Sequence, residues 1–489
     1  MEKVYESINN LVSYAKNNLM LKEKDVDYVK NTILLCLSLP NIDENIKTSV
    51  KDVARLDELV KDFVDACINA KVFEIEDSLY FADVVMGILS LKPSEIQNVF
   101  ENLEKTQGKK AATEWFYNYC IKNDYVKKSV LERNLRFEEN GLIITINKAK
   151  PEFRDSKKAA EGNKVKGGYP KCNICHENEG YHGRNKRTLR TIDMVLDGEN
   201  WFWQFSPYGY FNEHGILVNY LHTPMHIDRS TYVKLLEFVD RFPHYFVGSN
   251  AALPRIGGSV LAHDHFQGGG EVLPLQKAKA KYCFPSKDFE DMRIEVLDWP
   301  GSAIKIVSKN KEDIVEISDR IGTYWKSYEN KELSLIPVDE DGVHQAVSPT
   351  AIKTDRGYEM IIIFRSNMVS EKYPDGIFHA HPEFHIIKKE SIGLIEAQGL
   401  FILPGRLEEQ LEEIAKIIST KSKLPKDYED FEFVVNEIMQ MLDGNFDIDN
   451  VKNCIKKELG SICYRILENT AVFKDKKLIV DFLKSAKAI

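Results

Sequence analysis

The chain has 489 residues, is 43% hydrophobic and 29% charged, and carries 66 Lys and Arg against 75 Asp and Glu, a formal net charge of −9. This is the composition of a soluble globular protein with more than one packed unit, since one small core does not serve such a length. The acidic balance argues against broad nucleic-acid binding, which needs a positive surface. Small anionic substrates remain open to local clusters of Arg and Lys.

No apolar run approaches the ~18 residues of a membrane span, so no membrane association is expected. No apolar stretch follows a basic start after Met1-Glu2-Lys3, and no signal peptide is expected. Eight cysteines are too few for a disulfide scaffold at this length, which fits a reduced, cytoplasmic setting. All twelve histidines lie between His176 and His385, so chemistry is expected in the middle of the chain.

Residues 1–135 read as helical, with apolar positions at threes and fours such as Val26, Val29, Ile33 and Leu34, or Leu56, Leu59, Val60 and Phe63. Gly141 to Ile146 reads as a strand. From Pro151 to Gly183 the texture is that of loops around a Cys-x-x-Cys. Strands are expected at Trp201–Phe205, Gly215–Tyr220, Tyr245–Gly248, Ala303–Val307 and Glu359–Phe364, with helices at Arg229–Arg241 and Lys311–Glu329. Past Gly405 the pattern is helical again. The first of the central helices takes Asp228 or Ser230 as its N-cap. Ser249-Asn250 followed by His263-Asp264-His265 echoes Ser366-Asn367 followed by His379-Ala380-His381, a hint of duplication.

Four groups of residues carry the chemistry. Gly257 to Gly270 contains His263, His265, Gln267 and five glycines. In an extended chain the two histidines and the glutamine share a face, and the glycines let backbone approach a ligand. A neutral imidazole held at one nitrogen attacks phosphorus with the other. An amide beside it donates to phosphoryl oxygens without adding a base, which suits phosphoryl transfer.

Cys172 and Cys175 are half a zinc site, and His222 and His263 are the best offers for the other half; two incidental thiols or a redox pair are the alternatives. His379, His381, Glu383 and His385 alternate as on a strand, with Pro382 marking an edge or bend. They suit a metal, a phosphorylated sugar, or a polar face under a loop. Arg154, Lys157 and Lys158 form a basic cluster, either an anion site or a solvated face. His226 reads as a helix-entry residue.

His222 to Arg229, Phe242 to Asn250, Ser259 to Gly270 and His379 to Gly399 together resemble the galactose-1-phosphate uridylyltransferases, in their longer second class. The likeness runs the length of the chain. It implies an α+β fold of two related histidine-triad-like antiparallel-sheet halves with helical N- and C-terminal extensions. The expected division is 1–135 helical, 136–300 first half with the nucleophile, 301–405 second half and 406–489 helical.

The resemblance implies that UDP-glucose gives UMP to a histidine and that galactose 1-phosphate then takes it. His265 is implied as nucleophile and Gln267 as its phosphoryl contact. Asn250 and Ser259 resemble the family's phosphate-binding Asn and Ser; Arg154, from its place beside the Cys pair, is a further substrate candidate, and His379, His381 and His385 are the sugar candidates. The zinc ligands of the first class resemble Cys172, Cys175, His222 and His263. Ser206, Pro207 and Tyr208 are candidates for the base-binding loop.

UDP-glucose, UDP-galactose and hexose 1-phosphates are the implied partners of a homodimer with no organic cofactor. Two departures stand out: Asp264 replaces the proline of the first class, and the serine lies one residue further from the histidines. A histidine-triad hydrolase or phosphorylase with another acceptor is the alternative. A sugar-nucleotide sensor without turnover is a more distant one. Hydride chemistry is not suggested, since no Gly-x-Gly-x-x-Gly follows a strand.

Overall fold

A computed structural model describes residues 1–43, 45, 46, 48, 55–148, 168–258 and 260–489. The N-terminal region is helical, as its periodicity requires: α1 (Glu2–Asn18), α2 (Val26–Cys36), α3 (Leu56–Asn69), α4 (Ser78–Leu89), α5 (Pro93–Gln107), α6 (Lys109–Lys122) and a short α7 (Lys128–Leu131). Helix α1 buries Val4, Ile8, Leu11, Val12 and Ala15, one stripe at threes and fours. That stripe joins the same core as the central sheet, and Phe116 of α6 meets Phe205 with ring centroids 5.1 Å apart. No described helix is long and apolar enough to cross a membrane.

A hairpin follows, β1 (Leu135–Glu139) and β2 (Leu142–Asn147), and then the strands β3 (Ile192–Leu196), β4 (Glu199–Phe205), β5 (Gly215–Asn219), β6 (Phe246–Gly248) and β7 (His265–Gly269). Helix α8 (Arg229–Arg241) lies between β5 and β6, and Asp228 is its N-cap, accepting from the Thr231 backbone N–H. Next come β8 (Ala280–Pro285), β9 (Arg293–Leu297), β10 (Ala303–Ser308), helix α9 (Lys311–Ser327), a two-stranded excursion β11 (Val338–Asp339) and β12 (Gly342–Val343), β13 (Gln345–Thr354) and β14 (Gly357–Ser366).

The main sheet has the order β3-β4-β5-β7-β6-β13-β14-β10-β9-β8. Each side is three strands, a helix and two strands, and the second side mirrors the first. The duplication is therefore real, but it pairs α8 with α9 and β6 with β13. The two Ser-Asn pairs do not correspond: Ser249-Asn250 follows β6, whereas Ser366-Asn367 lies at the end of β14. Short polar words recur by chance more readily than a whole strand order does.

The two sides meet at antiparallel β6 and β13, with Gly248 opposite Thr350. An added Cβ at Gly248 would stand 2.4 Å from Thr350 Oγ1, so the seam closes only around glycine. The symmetry divides the sheet between Gly269 and Ala280, ahead of the border at residue 300. The hairpin β1–β2 lies outside both halves, because β2 pairs in parallel with β15 (Leu400–Pro404) in a separate three-stranded sheet.

The segment after β14 corrects one expectation. His379 to His385 is no strand; it is irregular chain with a 3₁₀ turn at Pro382–Phe384. Pro382 has no N–H for a ladder and its fixed φ suits the start of a helical turn. The C-terminal extension is helical as expected, with α10 (Leu394–Ala397) ahead of β15 and α11 (Arg406–Ser419), α12 (Glu432–Met441), α13 (Ile448–Thr470) and α14 (Lys476–Ser485) after it.

Candidate functional site

Strand β7 runs between β5 and β6, with His265 opposite Val218 and Gln267 opposite Ile216 on one side and Gly248 on the other. Phe266 turns into the core and stacks on Trp201 at 4.8 Å. Strand alternation then sends His265 and Gln267 together to the other face. Two neighbours fix the approach to β7: the Asn219 backbone N–H donates to Asp264 O, and the Asp264 N–H donates to Thr223 O.

His265 Nδ1 lies 2.8 Å from His263 O. A carbonyl can only accept, so Nδ1 carries the proton and Nε2 the free lone pair. The ring is buried, and burial pushes it down to about 4. The ring is therefore neutral at pH 7, with its free lone pair placed on Nε2 by the backbone.

Gln267 has a partner that the sequence did not single out. His214 Nε2 is 3.2 Å from Gln267 Oε1, and the Tyr210 backbone N–H points at His214 Nδ1 at 3.5 Å. The Tyr210 N–H needs an acceptor, so the His214 proton sits on Nε2 and is donated to the Gln267 oxygen. That leaves the Gln267 NH₂ group to donate elsewhere. Burial holds His214 down at about 4 as well. The available signal was its place at the mouth of β5, two residues before the Ile216 that pairs with Gln267.

Cys172, Cys175, His222 and His263 come together, with their ligand atoms all within 4.8 Å of one another. Cys172 Sγ is 3.4 Å from Cys175 Sγ and 3.3 Å from His263 Nδ1, and Cys175 Sγ is 3.1 Å from His222 Nδ1. A tetrahedral zinc with bonds of about 2.3 Å to sulfur and 2.0 Å to nitrogen spaces its ligands about 3.5–3.8 Å apart. The three short distances are within about half an ångström of that, and the widest pair, at up to 4.8 Å, would have to draw in.

The surroundings of the cluster fit a metal too. His263 Nε2 donates to Asn219 O at 2.7 Å, which leaves Nδ1 free to ligate. Asn178 Nδ2 donates to the carbonyls of both Cys172 and Cys175 at 2.8 Å. Arg184 Nη1 adds a bond to Cys172 O at 2.7 Å. These residues could hold a metal ion. His263 thus serves two masters, the cluster through its ring and His265 through its carbonyl.

The remaining expected residues divide. Asn250 is buried, and its Oδ1 accepts from the Leu394 backbone N–H at 2.8 Å. Arg154, Lys157, Lys158 and Ser259 lie outside the described residues. Among the described residues no bond brings His379, His381 and His385 to the His265 face; each donates to a nearby carbonyl, of Ala380, Ile377 and Ala380 respectively. Ser206 and Tyr208 sit close to the His214 turn, since the Ser206 N–H donates to His214 O at 2.8 Å. Asp264 is buried and faces His226 and Lys234, away from His265, and burial raises its carboxyl to about 6.

Residues 41–224 match the family profile described as galactose-1-phosphate uridyl transferase, N-terminal domain, and residues 237–430 match its C-terminal domain. A galactose-1-phosphate uridylyltransferase of Bifidobacterium longum is 49% identical over 99% of this chain and 98% of its own. Proteins with that description from Streptococcus pneumoniae and Caldanaerobacter subterraneus are 37% and 34% identical, covering 96% and 98% of this chain and 96% and 97% of their own. Among solved structures, a yeast Ap4A phosphorylase aligns over 66% of this chain and 89% of that one, at 12% identity and a TM-score of 0.32, too slight a likeness to argue from.

Proposed function

The chain belongs to the galactose-1-phosphate uridylyltransferase family, and on that premise we propose that His265 Nε2 is the atom that carries the uridylyl group between substrates. The reaction exchanges UMP between UDP-glucose and galactose 1-phosphate, giving glucose 1-phosphate and UDP-galactose, a step of galactose metabolism.

In the first half-reaction the Nε2 lone pair attacks the α-phosphorus of UDP-glucose. The N–P bond forms as the P–O bond to the β-phosphate breaks, and glucose 1-phosphate leaves with that electron pair. In the second, a phosphate oxygen of galactose 1-phosphate attacks the same phosphorus and the N–P pair returns to Nε2. Neither step needs a net proton transfer, because the Nδ1 proton stays on its bond to His263 O. The carbonyl also stabilises the positive charge that the ring gains in between.

Gln267, held by His214 through its oxygen, donates its NH₂ to the phosphoryl oxygens as charge builds on them. Asn250, Ser259 and Arg154 serve the phosphates, and His379, His381 and His385 are the sugar candidates. Cys172, Cys175, His222 and His263 would hold zinc, which supplies a fixed dication tying the Cys172 loop to the entry of β7. We place the enzyme in the reducing cytoplasm as a homodimer, without an organic cofactor and away from nucleic acid and membranes.

The bond from His265 Nδ1 to His263 O carries this mechanism. Incubation with UDP-glucose labelled in the uridylyl group leaves one acid-labile label per chain, and His265→Ala leaves none. A label that persists in His265→Ala overturns the assignment.

A further inference from the structure

The face that carries His265 and Gln267 continues across the seam with buried donors that lack acceptors. Gln267 lies opposite Gly248, and Gly248 opposite Thr350. Alternation along β13 puts Ser348 and Ala346 on that same face, and Ala346 lies opposite Arg365 of β14. The intervening Val347, Ile362 and Phe364 turn to the other side, into the main core. On this face Thr350 Oγ1, Ser348 Oγ, Asn250 Nδ2 and Arg365 Nε and Nη1 are buried without a hydrogen-bond partner among the described residues.

Arg365 is the informative member. The residue is 1% exposed, and a buried guanidinium is costly unless an anion meets it. Glu396 is the nearby carboxylate, but Lys388 takes its Oε1 and the Gly393 N–H its Oε2 at 3.0 Å. One guanidinium nitrogen is used: Nη2 donates to Ile392 O at 2.8 Å. Two residues on, the Leu394 N–H donates to Asn250 Oδ1 at 2.8 Å. The stretch Ile392-Gly393-Leu394 therefore holds both side chains by their far sides, with Arg365 Nη2 and Asn250 Oδ1 within about 10 Å of one another. Both keep unpaired N–H groups.

We propose that Arg365 and Asn250 bracket the phosphate of the hexose 1-phosphate, with Ser348 and Thr350 turned to its sugar hydroxyls, so that the second half of the sheet supplies the acceptor subsite. This rests on the uridylyltransferase reading. A guanidinium offers two parallel N–H groups to two phosphate oxygens, a geometry lysine lacks. From β7 to β14 is three strand spacings, about 14 Å, and Arg365 lies two residues along from the His265 row, so the two backbones are about 16 Å apart. Continuing the β6–β7 register past Gly248 sets Asn250 beside His265, so the Asn250 end of the bracket is the end next to the phosphorus on Nε2 that the phosphate attacks.

The test separates the half-reactions in Arg365→Met, Arg365→Lys and the double variant Ser348→Ala/Thr350→Val. Labelling of the wild type by UDP-glucose is measured first; its absence overturns the uridylyltransferase reading and says nothing against the subsite. The subsite itself is read directly as the rise in thermal midpoint that galactose 1-phosphate gives the unlabelled protein. Arg365→Met is expected to lose that rise and to raise KM for galactose 1-phosphate by about 10- to 100-fold, the worth of a charged hydrogen bond. Arg365→Lys recovers part of it. Should Arg365→Met fail to fold, Arg365→Lys and the double variant decide, each raising that KM at least about threefold. An unchanged KM and an unchanged midpoint rise in the folded variants overturn the proposal.

Discussion

Replacing His214 by phenylalanine isolates the orientation of Gln267 from its chemistry. The ring stays aromatic between Tyr210 and Phe211, whose centroids lie 4.7 and 4.6 Å from it, so packing is largely kept. What goes is the 3.2 Å bond from Nε2 to Gln267 Oε1. Both partners are neutral, because burial holds His214 near 4, and such a bond is worth about 0.5–1.5 kcal/mol net. Without it the amide turns over freely and presents oxygen as often as NH₂ to the phosphoryl group. The kcat should fall about 2- to 12-fold, with KM for UDP-glucose little changed. Gln267→Ala removes the donor itself and should cost about 10²- to 10³-fold. A single-turnover burst of glucose 1-phosphate measures both. In the Gln267→Ala background His214→Phe should add nothing. An additive loss there, or a His214→Phe loss as large as that of Gln267→Ala, refutes the orienting role.

Protein purified without added zinc should carry about one zinc per chain, and Cys175→Ser should lose it together with most of the uridylylation burst; wild-type protein free of metal yet fully active speaks against the cluster. Gly248→Ala forces a Cβ to 2.4 Å from Thr350 Oγ1 and 2.8 Å from Pro349 O, and should lower stability by about 1–3 kcal/mol in denaturant titration. Burial holds His214 and His379 neutral in the fold, at about 4 against an ordinary 6.5. The unfolded chain therefore binds more protons between those values, and stability should be whole above pH 6.5 and decline as pH falls towards 4. Denaturant midpoints across that window should decline less in His214→Phe than in the parent; parallel curves would count against the burial argument.

Much of the candidate site is legible because its residue types stand in short local words. Cys172-x-x-Cys175 and His263-x-His265-x-Gln267 each place like functions at strand or turn spacing, and a strand's alternation needs only a few residues to show itself. The helical ends were equally legible from threes and fours. Other features were not. The Ser-Asn and His-x-His pairs that hint at the duplication do not correspond, because equivalence in this fold lies in strand order. The alternation of His379 to His385 suggested a strand that Pro382 does not permit, and each ring bonds a local carbonyl instead.

By itself, then, the sequence determined which residue types could act and roughly where: a candidate histidine nucleophile, an amide beside it, and four metal-ligand candidates. The tertiary structure decided which atoms face each other. It left the free lone pair of His265 on Nε2 through a carbonyl two residues back, and it chose the orientation of Gln267 through His214, fifty-three residues away. It also carried the face of β7 across a glycine seam to Arg365. Hydrogen-bond direction and burial are properties of neighbours in space, and those are fixed only when the two halves of the sheet close on one another.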